Sequence, residues 1–216
     1  VTDLGLMQKL EGPRLEARNP PRATGSRNAA AEDPDADLVV AIAGGDPRAA
    51  RELVDKHLPR MVNLARRVLG NQADAEEVAQ EVFLRVWKQA PKWKPGRAKF
   101  ETWMHRVALN LCYDRLRKKR EVTGDDIPEP IDGSAGPGEA LHQKEVAARV
   151  NEAMQQLPER QRAAITLCHH QGHTNIEAAE IMDVSVDALE SLLSRGRRKL
   201  KELLRSEMNE LLGVGQ

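Results

Sequence analysis

Apolar residues return at intervals of three and four over long stretches of this chain, the spacing of one helical face. The first stretch predicts four helices between Asp37 and Arg120. A short helix from Asp37 to Ala43 stops at Gly44-Gly45. Asp46 then caps a second helix with Pro47 in its first turn, and Leu53, Leu58, Met61, Val62, Ala65, Val68 and Leu69 form its apolar stripe. Gly70 ends that helix. A third helix is expected from Asp74 as N-cap, with Glu77 at capping-box spacing and Val78, Val82, Phe83 and Val86 buried. Pro91 to Gly96 breaks the pattern. A fourth helix follows with Phe100, Trp103, Met104, Val107 and Leu111 on one face and a basic C-terminal end.

The second stretch is helical again. Gln143 to Gln156 predicts one helix, and Pro158 opens another that Gly172 closes. Asn175 to Met182 reads as a short third helix. Asp183-Val184-Ser185 is a tight turn with Ser185 as N-cap, and Val186 to Leu212 forms a long last helix. Residues 121–139 hold six acidic side chains, many Gly and Pro, and no Lys or Arg, the composition of a linker. Residues 1–33 are rich in Pro, Arg, Asn, Gly and Ala and carry no apolar period, which predicts a disordered arm. The expected fold is all-α: two small helical domains, 34–120 and 142–212, joined by a flexible acidic linker over 121–141.

Composition agrees with packed helices. Of 216 residues 40% are apolar but only 3% aromatic, so Leu, Val, Ala and Ile must fill the core. The two cysteines, Cys112 and Cys168, are too few for a disulfide framework and fit a reducing compartment. No apolar run is long enough to span a membrane, and Val1 to Leu10 shows no secretory signal. A cytoplasmic protein is expected. The net charge is zero, but the distribution of charge matters more for nucleic acid than its sum.

That distribution is uneven in two places. The spacing from Asn175 to Leu200 is that of a helix–turn–helix. Ala178 is small where two helices meet, Ile181 and Met182 face inward, and Val184 plugs the gap. Asp183 sits where the turn needs a positive φ, a conformation Asp tolerates better than most residues. Leu189, Leu192 or Leu193, and Leu200 continue the stripe. Beyond it, Arg195, Arg197, Arg198, Lys199, Lys201 and Arg205 face Glu202 alone. Such a helix enters a major groove by its N-terminal half and lies along phosphates by its basic half, each phosphate neutralised adding about 0.9 to the salt dependence of binding.

The second place is Lys92 to Arg120, where ten Lys or Arg stand against Glu101 and Asp114, a formal +8. All six aromatic residues, Phe83, Trp87, Trp93, Phe100, Trp103 and Tyr113, lie within or just before it. Aromatics among cations suit single-stranded DNA, because bases stack on rings, worth roughly 1–3 kcal/mol each, while phosphates meet the charges. The three- and four-residue spacings of Phe83 with Trp87 and Phe100 with Trp103 belong more often to a core. Trp93, in a loop bounded by Pro and Lys, is the better surface candidate.

No Gly-rich phosphate loop, nucleophile elbow or paired carboxylates mark an enzyme. Cys168-His169-His170 with His173 is the one cluster with metal-ligand chemistry. Cys168 and His169 are adjacent, point to different sides of a helix and lack a paired Cys-x-x-Cys, so no metal and no cofactor is expected.

Three segments resemble a known family. Asp74-Ala-Glu-Glu-Val-Ala-Gln-Glu-Val-Phe-Leu-Arg-Val-Trp87 is similar to the most characteristic segment of the sigma-factor region-two domain. Phe100-Glu-Thr-Trp-Met-His-Arg-Val-Ala-Leu-Asn110, with Asp114-Arg115-Leu116-Arg117, resembles its promoter-melting helix. Leu157-Pro158-Glu159-Arg160-Gln161-Arg162 and the helix–turn–helix resemble the region-four domain. Two such domains at this length resemble the extracytoplasmic-function sigma factors. The resemblance implies a non-catalytic initiation factor whose partners are core RNA polymerase (β′ clamp helices and β flap), promoter DNA and an anti-sigma factor. It further implies polymerase contacts through Asp74, Glu77, Gln80, Glu81, Phe83 and Trp87. Contacts to the −10 element fall to Trp93, Lys94, Lys99, Trp103, Asn110, Asp114, Arg115, Lys118 and Lys119. Contacts to the −35 element fall to Ser185, Asp187, Glu190, Ser191, Ser194, Arg195, Arg197, Arg198 and Lys199. The chain departs from the family pattern in the middle of the recognition helix, where Lys, Ser and Arg are usual and this chain has Glu190, Ser191 and Leu192, losing two cations, and at Asp183, which replaces a turn glycine.

Overall fold

The structure, a computed structural model, describes residues 33–94, 98–123 and 148–211, with side chains up to 205. The arm expected over 1–33 and the linker expected over 121–141 therefore lie outside the described residues, save for Asp33 and 121–123. Every regular element among the described residues is helical. They run as α1 (Ala36–Ala43), α2 (Pro47–Leu69), α3 (Gln72–Gln89), a 3₁₀ turn Ala90–Lys92, and α4 (Phe100–Thr123). After the undescribed stretch come α5, whose described part is 148–155, then α6 (Glu159–Ile165), a π-helical turn Thr166–His170, α7 (Asn175–Met182) and α8 (Val186–Leu211).

α2 begins as its sequence predicts. Asp46 is extended and its Oδ1 accepts the Arg48 N–H at 2.8 Å, ahead of Pro47. Gly70 closes α2 at φ 75°, a left-handed turn that favours glycine, and a Cβ there would stand 2.7 Å from Gln155 Oε1 and displace that side chain. The buried stripe is Leu53, His57, Met61, Leu64 and Val68, steps of four, four, three and four. Leu58, placed in the stripe from sequence, is 37% exposed. Its slot on the core-facing ridge belongs to His57.

α3 starts earlier than expected. Asn71, not Asp74, is the N-cap: its backbone is extended and its Oδ1 accepts the Asp74 N–H at 2.9 Å. This correction places Asp74 inside the first turn, where its carboxylate matches the helix dipole and is free to pair elsewhere. Ala75, Val78, Ala79, Val82, Phe83 and Val86 face the core. α4 buries Phe100, Met104, His105, Ala108, Leu109 and Cys112, while Trp103 and Leu111 are half-buried. Its buried arc is wider than one stripe because helices cover it on two sides.

Two acids near the start of the described chain tie these helices together. Asp33 Oδ2 accepts the Phe100 N–H at 2.8 Å, occupying an orphan donor at the N-terminus of α4. Asp35, fully buried, accepts from Lys56 Nζ at 2.6 Å and pairs with His57 Nε2 at 3.0 Å. Burial alone would raise the Asp35 carboxyl, but the His57 and Lys56 hydrogen bonds outweigh it and hold the group below its ordinary value.

The C-terminal helices follow their sequence closely. Thr174 and Glu177 form a full capping box at the start of α7. Asp183 adopts φ 54°, the one positive-φ non-glycine residue among those described, and Ser185 Oγ accepts the Ala188 N–H at 3.2 Å to start α8. Leu189 and Leu193 are buried; Leu192 is half-buried. Gly196 lies against α6, where a Cβ would stand 2.9 Å from Ile165 Cδ1 and 3.3 Å from Gln161 Cβ. That glycine lets two helices approach at the middle of α8.

The described parts of the two helical sets, α1–α4 and α5–α8, pack against each other within one compact unit. Arg162, 5% exposed, is the main tie. Its Nη1 donates to the Val68 carbonyl at 2.8 Å and to Gln155 Oε1, and its Nη2 donates to the Leu157 carbonyl at 3.1 Å. Arg60 donates to the Gln171 carbonyl at 2.9 Å while the Gln171 amide returns a bond to the Arg60 carbonyl at 3.1 Å. Lys99 pairs with Glu177 at 3.1 Å, and Arg106 donates to the Glu180 carbonyl.

Candidate nucleic-acid interface

α8 presents its polar side chains outward. Ser185, Asp187, Glu190, Ser191, Ser194, Arg195, Arg197, Arg198 and Lys199 are all exposed. They are exposed because Leu189, Leu193 and Gly196 consume the inward positions of the same helix. Arg195 Nε folds back to the Ser191 carbonyl at 3.1 Å and Arg197 Nε to the Leu193 carbonyl at 3.3 Å. Among the described residues, none of the four cations from 195 to 199 has an ion-pair partner. Glu190 takes a 3.3 Å bond from the Asn175 amide, which holds the acid toward α7. All nine predicted −35 residues are thus exposed on α8, from its N-cap Ser185 to Lys199, around the narrow inward face of Leu189, Leu193 and Gly196.

The N-terminal basic surface differs. Lys94, Asn110, Lys118 and Lys119 are exposed, while Lys99, Trp103, Asp114 and Arg115 are half-buried. Arg115 spans from α4 to α3, Nη1 lying 3.0 Å from Asp74 and Nη2 2.8 Å from Glu77. Arg117 pairs with Asp114 at 2.9 Å, and Arg120 with Glu159 at 3.0 Å. These pairs are partly solvent-exposed, so they restrain the cations without burying them.

The aromatic residues form a packed cluster. Trp93 meets Phe100 edge to face with centroids 4.9 Å apart, and Phe100 and Trp103 lie 5.2 Å apart. Trp93 is half-buried with its indole N–H buried and unbonded, so it is not the free surface ring expected from its loop. Prolines and lysines around it suggested exposure, but the 3₁₀ turn at 90–92 folds the ring back onto α4. On α3, Asp74, Glu77, Gln80 and Glu81 line the outer face with Trp87 half-buried beside them. Phe83 is 6% exposed and offers no surface to a partner. Its spacing from Val82 and Val86 is that of the core stripe, and the exposed apolar position beside it is Leu84, at 52%.

The cluster with metal-ligand chemistry is not the one expected. His173 does not join Cys168, His169 or His170. Its ring meets His105 edge to face at 4.6 Å, and Glu101, His105 and His173 bring ligand atoms within 4.8 Å of one another. The separation of His105 and His173 along the chain hid this cluster; the Glu101–His105 spacing of four on one helix was its visible half. His105 is fully buried, and burial with the neighbouring His173 drives its imidazole down to about 3. Cys112 is equally enclosed, its thiol pushed up to about 12 by burial, which leaves it unreactive.

A helix–turn–helix with bare cations, beside a helical lobe with a basic surface over a packed aromatic cluster, has the character of a DNA-binding protein. The family models for Sigma-70 region 2 and Sigma-70, region 4 match residues 53–122 and 147–200. ECF RNA polymerase sigma factor SigE of Mycolicibacterium smegmatis is 33% identical over 163 residues, 74% of this chain and 63% of its own length. ECF RNA polymerase sigma factor SigW of Bacillus subtilis is 31% identical over 172 residues, 74% of this chain and 91% of its own. Among solved structures, CnrH in complex with the cytosolic domain of CnrY aligns with a TM-score of 0.63 at 27% identity, covering 80% of this chain and 97% of that one. The chain belongs to the sigma-70 family and, within it, to the extracytoplasmic-function sigma factors. No described helix is long and apolar enough to cross a membrane.

Proposed function

We propose that this chain is the specificity subunit of a bacterial RNA polymerase, bringing the core enzyme to a promoter and carrying out no reaction itself. The observation that carries this reading is α8: a helix–turn–helix recognition helix with a proper N-cap, whose four cations from 195 to 199 have no ion-pair partner among the described residues. Ser185, Asp187, Glu190, Ser191 and Ser194 are positioned for base edges of a −35 element, and Arg195, Arg197, Arg198 and Lys199 for its phosphates. In the N-terminal lobe, Lys94, Lys99, Trp103, Asn110, Asp114, Arg115, Lys118 and Lys119 serve the −10 element. Trp93 acts there from within the aromatic cluster. Asp74, Glu77, Gln80, Glu81 and Trp87 meet the polymerase clamp. Phe83 supports that helix from behind.

The site of action is the cytoplasm, where polymerase and promoters are. By analogy with CnrH, solved with the cytosolic domain of CnrY, an anti-sigma protein covers these faces until a signal releases them. The test is transcription of a randomised promoter library by core polymerase with and without this protein. The expected outcome is enrichment of paired −35 and −10 motifs only when it is present. Failure of core polymerase to retain the purified, inhibitor-free chain overturns the reading.

A further inference from the structure

The contact between α4 and the turn ahead of α7 contains polar atoms that the fold leaves unused. His105 Nε2 and His173 Nε2 are buried without a hydrogen-bond partner. Glu101 Oε1 is buried too. Arg60 Nη1 stands 2.6 Å from it, but off the direction of a hydrogen bond. Two partnerless imidazole nitrogens beside a carboxylate are unusual, because buried polar groups nearly always find partners. Each one left alone costs about 1–3 kcal/mol.

The tautomer of His105 follows from its neighbour. Its Nδ1 lies 2.9 Å from the Glu101 carbonyl, which can only accept, so Nδ1 carries the hydrogen. The neutral ring then keeps a bare Nε2 lone pair, with the His173 ring edge to face 4.6 Å away. The His105 acceptor, the unpartnered His173 nitrogen and the Glu101 carboxylate share one pocket. The Arg60 guanidinium stands beside the carboxylate, but neither imidazole nitrogen has a hydrogen-bond partner. Metal-binding histidines are held in this way, with the second ring N–H donated to a backbone carbonyl.

We propose that Glu101, His105 and His173 bind a divalent transition-metal ion of the zinc class, with a fourth position left to water. Two imidazoles and one carboxylate suit zinc and its neighbours better than calcium or magnesium, which require oxygen ligands. Ligand bonds of about 2.1 Å in a tetrahedron put donor atoms roughly 3.4 Å apart. The present atoms lie within 4.8 Å, so closure takes side-chain rotations of about an ångström. Arg60 must release Glu101; it keeps its bond to the Gln171 carbonyl. The ion would join the promoter-opening helix to the helix–turn–helix lobe, adding to the Lys99–Glu177 pair and the Arg106 contact. On the functional reading above, a bound metal therefore holds the two DNA-binding lobes together.

The test uses the full chain, stripped with a chelator and titrated with cobalt(II). The expected result is one equivalent bound, with the strong visible bands of a four-coordinate site, displaced by zinc. His173→Ala, at a half-buried turn, should abolish these bands while circular dichroism shows an unchanged fold. Glu101→Gln should weaken binding by at least about tenfold. A Cys168→Ser, His169→Ala, His170→Ala triple variant should bind as the parent does. Only the pale spectrum of six-coordinate aqueous cobalt, or strong bands that persist in His173→Ala, overturns the site. No polymerase or DNA is present, so this outcome is separate from failure of the transcription assay.

Discussion

Two basic surfaces on this molecule look alike in sequence and differ in structure. On α4, Arg115, Arg117 and Arg120 are each engaged by a carboxylate. On α8, Arg195, Arg197, Arg198 and Lys199 have no such partner among the described residues. The cause is local. Arg115 reaches the acidic start of α3, Arg120 the start of α6, and Arg117 pairs with Asp114 on α4 itself, whereas the polar side of α8 faces solvent. A cation count alone cannot separate a surface held by its own protein from one held ready for phosphate.

The comparison breaks most visibly at α8. Replacing Arg195, Arg197 and Arg198 with Ala should remove promoter binding by the holoenzyme at moderate salt. In a salt titration the slope should fall by about 2.7, which is about 0.9 for each phosphate no longer neutralised. Folding stability should change by no more than about 0.5 kcal/mol, as for exposed sites without special interactions. An unchanged salt slope would mean the bare cations are ordinary solvated surface.

The same lobe has one cation turned inward. Arg162→Met should cost about 3 kcal/mol in urea unfolding, because three carbonyl-type acceptors lose a buried, charged donor. A loss below about 1 kcal/mol would show that the two lobes do not depend on this tie.

Acid should act on the N-terminal lobe first. The Asp35 carboxyl is held below its ordinary value of 3.8. Its stabilising contribution is complete above that value and is lost as pH falls through the lower folded value. All three tryptophans lie in the N-terminal lobe, so intrinsic fluorescence should report a transition below about pH 4. Asp35→Asn should cost about 2 kcal/mol at neutral pH, the value of hydrogen bonds to a charged group, and remove the part of the acid sensitivity that sets in below about pH 4, leaving the part due to buried His105, which begins below its ordinary value of 6.5. If the variant is as acid-sensitive as the parent, another carboxylate governs the transition.

The smallest effect sharpens the comparison most. Arg115→Ala should change stability by less than about 1 kcal/mol, since its ion pairs are partly exposed. If Arg115 leaves Asp74 and Glu77 for DNA, the salt slope of promoter binding also falls by about 0.9. If it stays in its pairs, the slope does not move.

Much of this was legible beforehand. The helices, the helix–turn–helix, the left-handed Asp183 and the Ser185 cap follow from local chemistry that a single residue type announces. The start of α3 was misplaced because Asp74 and Glu77 mimic a capping box while Asn71 follows a glycine in an unremarked turn. Leu58 and His57 exchanged roles because a histidine does not advertise itself as core. The facing of His105 and His173, and the seat of Arg162 on the Val68 carbonyl, join residues far apart along the chain. Backbone acceptors carry no residue signature, so such pairings leave no mark on the sequence. Gly196 was visible only as an interruption of a basic run; the reason for it is the side chain of Ile165.

Asp33 gives the beginning of the described chain an outsized mechanical reach. Its two carboxylate oxygens clasp the Phe100 and Asp35 amides at once. A shortened chain starting at Pro34 would retain every helix yet lack the latch on α4. Tension on the leading segment, from a fused protein or a tethering surface, would be delivered straight to the first turn of that helix.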